Sequence, residues 1–118
     1  MARMENEWRS QLNSEFVRAN RARVDGNEGR ARVCARRAAG IAIREHFNRT
    51  GRLASGSSAY DLLISLVESQ EISPELRQIA LHLTLRVSED FTLPADIDLI
   101  DESRQLCSQL LPDWNIKQ

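Results

Sequence analysis

A chain of 118 residues with 42% hydrophobic and 28% charged side chains has the composition of one globular domain, and its five Gly and three Pro exclude a collagen-like or low-complexity chain. The net charge of −1 conceals a division, because residues 1–52 carry twelve Arg against six acids (net +6) and residues 53–118 carry four bases against eleven acids (net −7). Halves so opposed either neutralise each other on packing or leave a basic face for nucleic acid or nucleotide.

The opening MARMENEWRSQL is polar, without the apolar run of a signal peptide, and no apolar run approaches the roughly 20 residues that span a bilayer. The expected address is the cytoplasm, with no membrane partner. From Glu5 to Arg23, Trp8, Leu12, Phe16 and Ala19 recur at four- and three-residue intervals, which predicts an amphipathic first helix. DGNEG then interrupts it, with Asp25 or Asn27 suited to cap a second helix over about Asn27 to Asn48 that Gly51 closes. Leu53 to Ser58, LASGSS, reads as a loop. Ser58 and Asp61 suit the start of a short third helix carrying Tyr60, Leu63, Leu66 and Val67 and ending near Gln70. SPEL begins a fourth, with Ser73 as cap, Pro74 in the first turn, and Leu76, Ile79, Ala80, Leu83 and Val87 on the buried face. After a break at Asp90 to Pro94, a last helix from Ala95 or Asp96 carries Ile97, Ile100, Cys107, Leu110 and Leu111. No segment alternates with period two. The expectation is therefore all-α: a single domain over residues 1–118, an antiparallel up-and-down bundle of four long helices plus one short helix.

The second helix should be central. Ala31, Cys34, Ala38, Ile41 and Ala42 share one face while Val33, Ile43 and Phe47 point elsewhere, and Ala38, Ala39, Gly40 and Ala42 allow a neighbouring backbone to come close. Its arginines divide. Arg30, Arg37 and Arg44 recur every seven residues and drift only about 20° per step, forming a stripe with guanidinium groups about 10 Å apart, whereas Arg32 and Arg36 lie on the far side with Ile43. Such a stripe either covers the core edge with its aliphatic stems while its heads reach solvent or acids of the other half of the chain, or grips phosphates of a nucleotide or RNA. The excess of Arg, fifteen against one Lys, suits bidentate phosphate contacts.

Catalytic motifs are sparse. Two histidines, His46 and His82, lack helical metal spacing, and Cys34 and Cys107 read as buried, reduced thiols, so no metal or cofactor is expected. The acidic run DIDLIDE at a helix start is better suited to the helix dipole than to a divalent cation. RQIALH places Arg77 five residues before His82, the minimum equipment for metal-independent RNA cleavage, since histidine can move the ribose proton and arginine can neutralise phosphate. Five residues turn a helix by about 140°, so the two side chains diverge unless a second subunit completes the site. With fifteen arginines in the chain, such a spacing also arises readily by chance.

The order of these segments resembles the HEPN domain, the higher eukaryotes and prokaryotes nucleotide-binding family: an Ala-rich second helix with basic residues at its end, CARRAAGIAIREHFNRTG, then SAYDLLISLV, a further helix, and a last helix after FTLPAD. Tyr60-Asp61-Leu62-Leu63 stands where the family often has a His-Asp-Leu sequence, so Ala59 and Tyr60 replace the histidine. The resemblance implies a helical, usually homodimeric domain that binds a nucleotide or a protein partner, often a small nucleotidyltransferase in a toxin–antitoxin pair. Some members are RNases that use an Arg and a His four to six residues apart across a dimer cleft, a spacing Arg77 and His82 satisfy; Gln78 follows the arginine where nuclease members commonly have a shorter polar residue. The leading expectation is non-catalytic phosphate binding through Arg30, Arg37 and Arg44. An RNase using Arg77 and His82 is the alternative, and a structural homodimer without ligand is the third.

Overall fold

A computed structural model of the chain describes residues 7–52, 58–85 and 97–115. Five helices follow one another: α1 (Glu7–Val24), α2 (Glu28–Thr50), α3 (Ala59–Val67), α4 (Pro74–Thr84) and α5 (Leu99–Leu110), with a 3-10 turn over Pro112–Asn115. No strand occurs among the described residues, and no helix there is long and apolar enough to cross a membrane.

Local chemistry explains most helix ends. Gly26 at φ 80° turns the chain out of α1, and the Asn27 side chain accepts the Arg30 N–H at the start of α2. Gly51 at φ 73° closes α2 in the left-handed conformation, and the next amide, of Arg52, donates to the Phe47 carbonyl at 2.9 Å. Ser58 and Ser73 accept the N–H groups of Asp61 and Leu76, with Pro74 in the first turn of α4.

Two ends differ from expectation. The third helix stops at Val67 instead of near Gln70 because Ser69 turns inward and accepts Arg52 Nη1 at 2.8 Å, while Arg77 donates to the Val67 and Ser69 carbonyls at 3.1 and 2.7 Å. A tertiary contact thus ends the helix. The last helix begins at Leu99 because the Asp98 carboxylate accepts the N–H groups of both Ile100 and Asp101. The start expected at Ala95 or Asp96, the LASGSS loop from 53 to 57 and the apolar role expected of Val87 all lie outside the described residues.

Helix α2 packs against α1, α3 and α5, and touches α4. Its buried surface is broad: Ala31, Cys34, Ala35, Ala38, Ala39 and Ala42 lie in the core, together with Ile43 and Phe47 from the second apolar side. Val33, expected on that side, is 40% exposed instead. Small residues bring backbones together. Ser103 Oγ donates to the Ala35 carbonyl at 2.8 Å and Cys107 Sγ lies 3.7 Å from the Ala38 carbonyl, which locks α5 onto α2. At Gly40 an added Cβ would stand 3.1 Å from both Cα and Cβ of Ala59, so the start of α3 is seated directly on α2. Both cysteines are free and buried; burial pushes the Cys34 thiol up and the Cys107 thiol up to about 12. In α4, Ile79, Ala80 and Leu83 face the core while Leu81 is 42% exposed.

Candidate functional site

The arginines fall into two populations. In the first, the guanidinium group is held by the protein itself. Arg23 bonds both oxygens of Asp98 at 3.0 Å and pairs with Glu28, joining the end of α1 to the starts of α2 and α5. The hydrogen bond from Arg23 holds the Glu28 carboxyl below its ordinary range, and Arg23 itself is raised, chiefly by Glu28. Burial pushes the Asp98 carboxyl up, but the Asp101 N–H, the Arg23 guanidinium and the Ile100 N–H outweigh it and hold it below its ordinary value. Arg49 makes a fork to Asp113 at 2.8 and 3.0 Å and reaches Glu45 at 3.0 Å, and its guanidinium lies 5.3 Å from the Trp8 ring. Arg9 donates to the Asp113 carbonyl at 2.9 Å.

Other arginines serve as carbonyl caps. Arg36 crosses from α2 to donate to the Leu83 and Leu85 carbonyls, each at 2.7 Å, and Arg77 does the same for the end of α3. Arg52 lies over the Phe47 ring and Arg104 over that of Phe16. Among the described residues, the opposed charges of the two halves therefore meet through Arg9, Arg23 and Arg49.

The second population faces outward. Arg30, Arg37 and Arg44 are exposed along α2, and neither Arg30 nor Arg37 forms an ion pair among the described residues. Arg30 does not stand by itself: with Arg18 and Arg21 of α1 it lines a depression of about 490 Å³ floored by Ala22 and bordered by Asp25 and Asn27. Sequence reasoning missed Arg18 and Arg21. Their signal was the pair of arginines three residues apart, bracketing Ala19 on the buried face of α1. Nearby, Glu15 is largely buried; Oε2 reaches Arg18 at 3.5 Å and Oε1 has no hydrogen-bond partner among the described residues.

Arg77 and His82 turn to different neighbours. Arg77 Nε and Nη2 are occupied by the α3 carbonyls, whereas His82 Nδ1 lies 2.7 Å from Glu102 Oε1 and Nε2 lies 2.9 Å from the Gln78 amide nitrogen. A neutral imidazole satisfies both contacts with its proton on Nδ1, donating to the carboxylate and accepting from Gln78. Glu102 is a partner that nothing in the local sequence around RQIALH could reveal, since it arrives from α5, twenty residues away. Among the described residues, no group of three or more His, Cys, Asp or Glu side chains is arranged to hold a metal ion. Comparisons with protein-family models, curated proteins and solved structures found no match.

Proposed function

We propose that the chain is a HEPN-like domain, an antiparallel up-and-down bundle of four long helices and one short one, that binds the phosphates of a nucleotide through Arg30, Arg37 and Arg44, or a protein partner such as a small nucleotidyltransferase, as a non-catalytic homodimer. The carrying observation is the contrast between arginines. Arg9, Arg23, Arg36, Arg49, Arg52 and Arg77 are engaged by carboxylates, carbonyls or hydroxyls of the fold, while Arg30 and Arg37 point outward without an ion pair among the described residues. Exposed guanidinium groups on one rigid helix are pre-organised for phosphate oxygens and cost the fold little to replace. Replacing Arg30, Arg37 and Arg44 together by Ala should abolish nucleotide binding measured by calorimetry while leaving helix content unchanged. Undiminished affinity in that triple variant removes the site from the proposal.

The RNase alternative draws on one observation, the 2.7 Å contact that orients His82 against Glu102 as a general base is oriented by a carboxylate. Arg77 weighs the other way, because two of its three nitrogens already satisfy carbonyls. On this reading His82→Ala abolishes RNA cleavage by a homogeneous preparation, and a preparation without cleavage, or one whose cleavage survives the substitution, excludes it.

A further inference from the structure

The depression around Arg18, Arg21 and Arg30 adjoins another of about 570 Å³, lined by Arg9, Ser10, Asn13 and Ser14, and Val17 and Arg18 belong to both. Together they form one open trough along the outer side of α1. From Ser10 to Arg21 the helix rises about 16 Å at 1.5 Å per residue. The trough presents mainly donors. Trp114 Nε1–H donates to Asn13 Oδ1 at 2.9 Å, and because an indole nitrogen can only donate, the Asn13 amide NH₂ is the end left for an incoming acceptor. Ser10 and Ser14 add hydroxyls one helical turn apart. Arg21 and Arg30 have no ion pair among the described residues, and Arg18 has only the 3.5 Å contact to Glu15. Among the described residues, Asp25 is the one acid lining the trough, against these three arginines and Arg9, which is held by Asp113.

We propose that this trough holds the sugar–phosphate backbone of a single nucleic-acid strand without reading its bases. The inference rests on the phosphate-binding function proposed above, and relocates its centre from the α2 stripe to the junction of α1 and α2. Shape selects the ligand. A site for a mononucleotide encloses the base between apolar or aromatic walls and buries most of the ligand. This trough is open, and no aromatic ring among the described residues lines it. A linear array of phosphates needs no such enclosure: successive phosphates meet successive cations, and the release of their counterions supplies the affinity.

The test is fluorescence anisotropy with a 5′-labelled uridine RNA of about 12 nucleotides, within the site sizes usual for single strands, and with DNA of the same length, each titrated at several salt concentrations. The expected result is that RNA and DNA bind alike, that Arg18→Ala/Arg21→Ala weakens both about tenfold or more with circular dichroism unchanged, and that the variant's log–log salt slope is shallower by about 1.4, two phosphate contacts at about 0.7 each. Loss of binding in Arg37→Ala/Arg44→Ala but not in Arg18→Ala/Arg21→Ala would overturn the trough and leave the phosphate-binding function standing on its stripe. Efficient displacement of the strand by equimolar ATP overturns the trough in favour of a mononucleotide. If no strand binds, or neither pair of substitutions matters, a backbone site in the trough is refuted; whether the phosphate function survives is then read from direct calorimetry with ATP. Binding of inorganic polyphosphate through Arg18 and Arg21, with RNA and DNA both inert, likewise overturns it.

Discussion

His46 lies near the end of α2 with its ring 6.0 Å from that of Phe47, and burial, followed by the charges of Arg52 and Arg49, holds its imidazole below the ordinary value of 6.5. A histidine that resists protonation in the fold lets the unfolded chain bind more protons. Its contribution is therefore complete above pH 6.5 and is lost as pH falls through that value toward the lower folded one. His46→Gln, which removes the titration, should flatten the dependence of urea-unfolding free energy on pH between about pH 7 and about pH 5. An unchanged profile would place the acid sensitivity elsewhere. The neighbouring arginines show why a residue count was a poor guide to purpose. Seven-residue spacing identified Arg30, Arg37 and Arg44 as one exposed line, because helical geometry determines which side chains share a face. It could not tell that Arg36 would reach across to the Leu83 and Leu85 carbonyls, since that choice depends on where α4 ends.

At the scale of elements, the seat of α3 on α2 is the contact most exposed to a single change. Gly40→Ala regains about 1 kcal/mol of helix propensity but brings a methyl to 3.1 Å from Ala59, so its stability should remain near that of the parent chain. Gly40→Val should destabilise by about 1–3 kcal/mol, the usual cost of overpacking, as read by denaturant unfolding; a Val variant as stable as the parent would show that α3 can shift freely. The junction of α1, α2 and α5 is electrostatic instead. Asp98→Ala removes a cap and an Arg23 partner and should cost about 1 kcal/mol, while Asp98→Asn keeps the cap oxygen and isolates the ion pair, for which about 0–1 kcal/mol is usual at such exposure. Because Asp98 and Glu28 are both held below their ordinary values of 3.8 and 4.5, the stability they add is present above those values and lost as pH falls below them through the folded ones. Helix existence and the Asn27, Ser58, Ser73 and Gly51 ends were legible because each cap is written within three or four residues. The end at Val67 was not, because Arg77 acts on it from another element; the start at Leu99 is set by a local cap, but DIDLIDE offered more than one aspartate for it.

Across the whole molecule, a chain with a net charge of −1 separates its charges by use. Acids of the second half neutralise arginines at the ends of α1 and α2, and along the exposed length between those ends Arg21, Arg30 and Arg37 have no ion pair among the described residues, while Arg18 has only its contact to Glu15. The composition exposed this polarity but could not say which arginines would be matched, since pairing depends on which helix ends meet. The phosphate binding proposed above draws on the outward-facing set. The most direct test is the salt dependence of single-stranded RNA binding by the parent chain and by Arg21→Ala/Arg30→Ala, with thermal unfolding followed in parallel. The account predicts weaker binding, a log–log salt slope shallower by about 1.4 for two lost phosphate contacts, and an unchanged unfolding midpoint. An unchanged slope and affinity, or a fall in the midpoint like that expected for Asp98→Ala, would contradict it and return these arginines to the service of the fold.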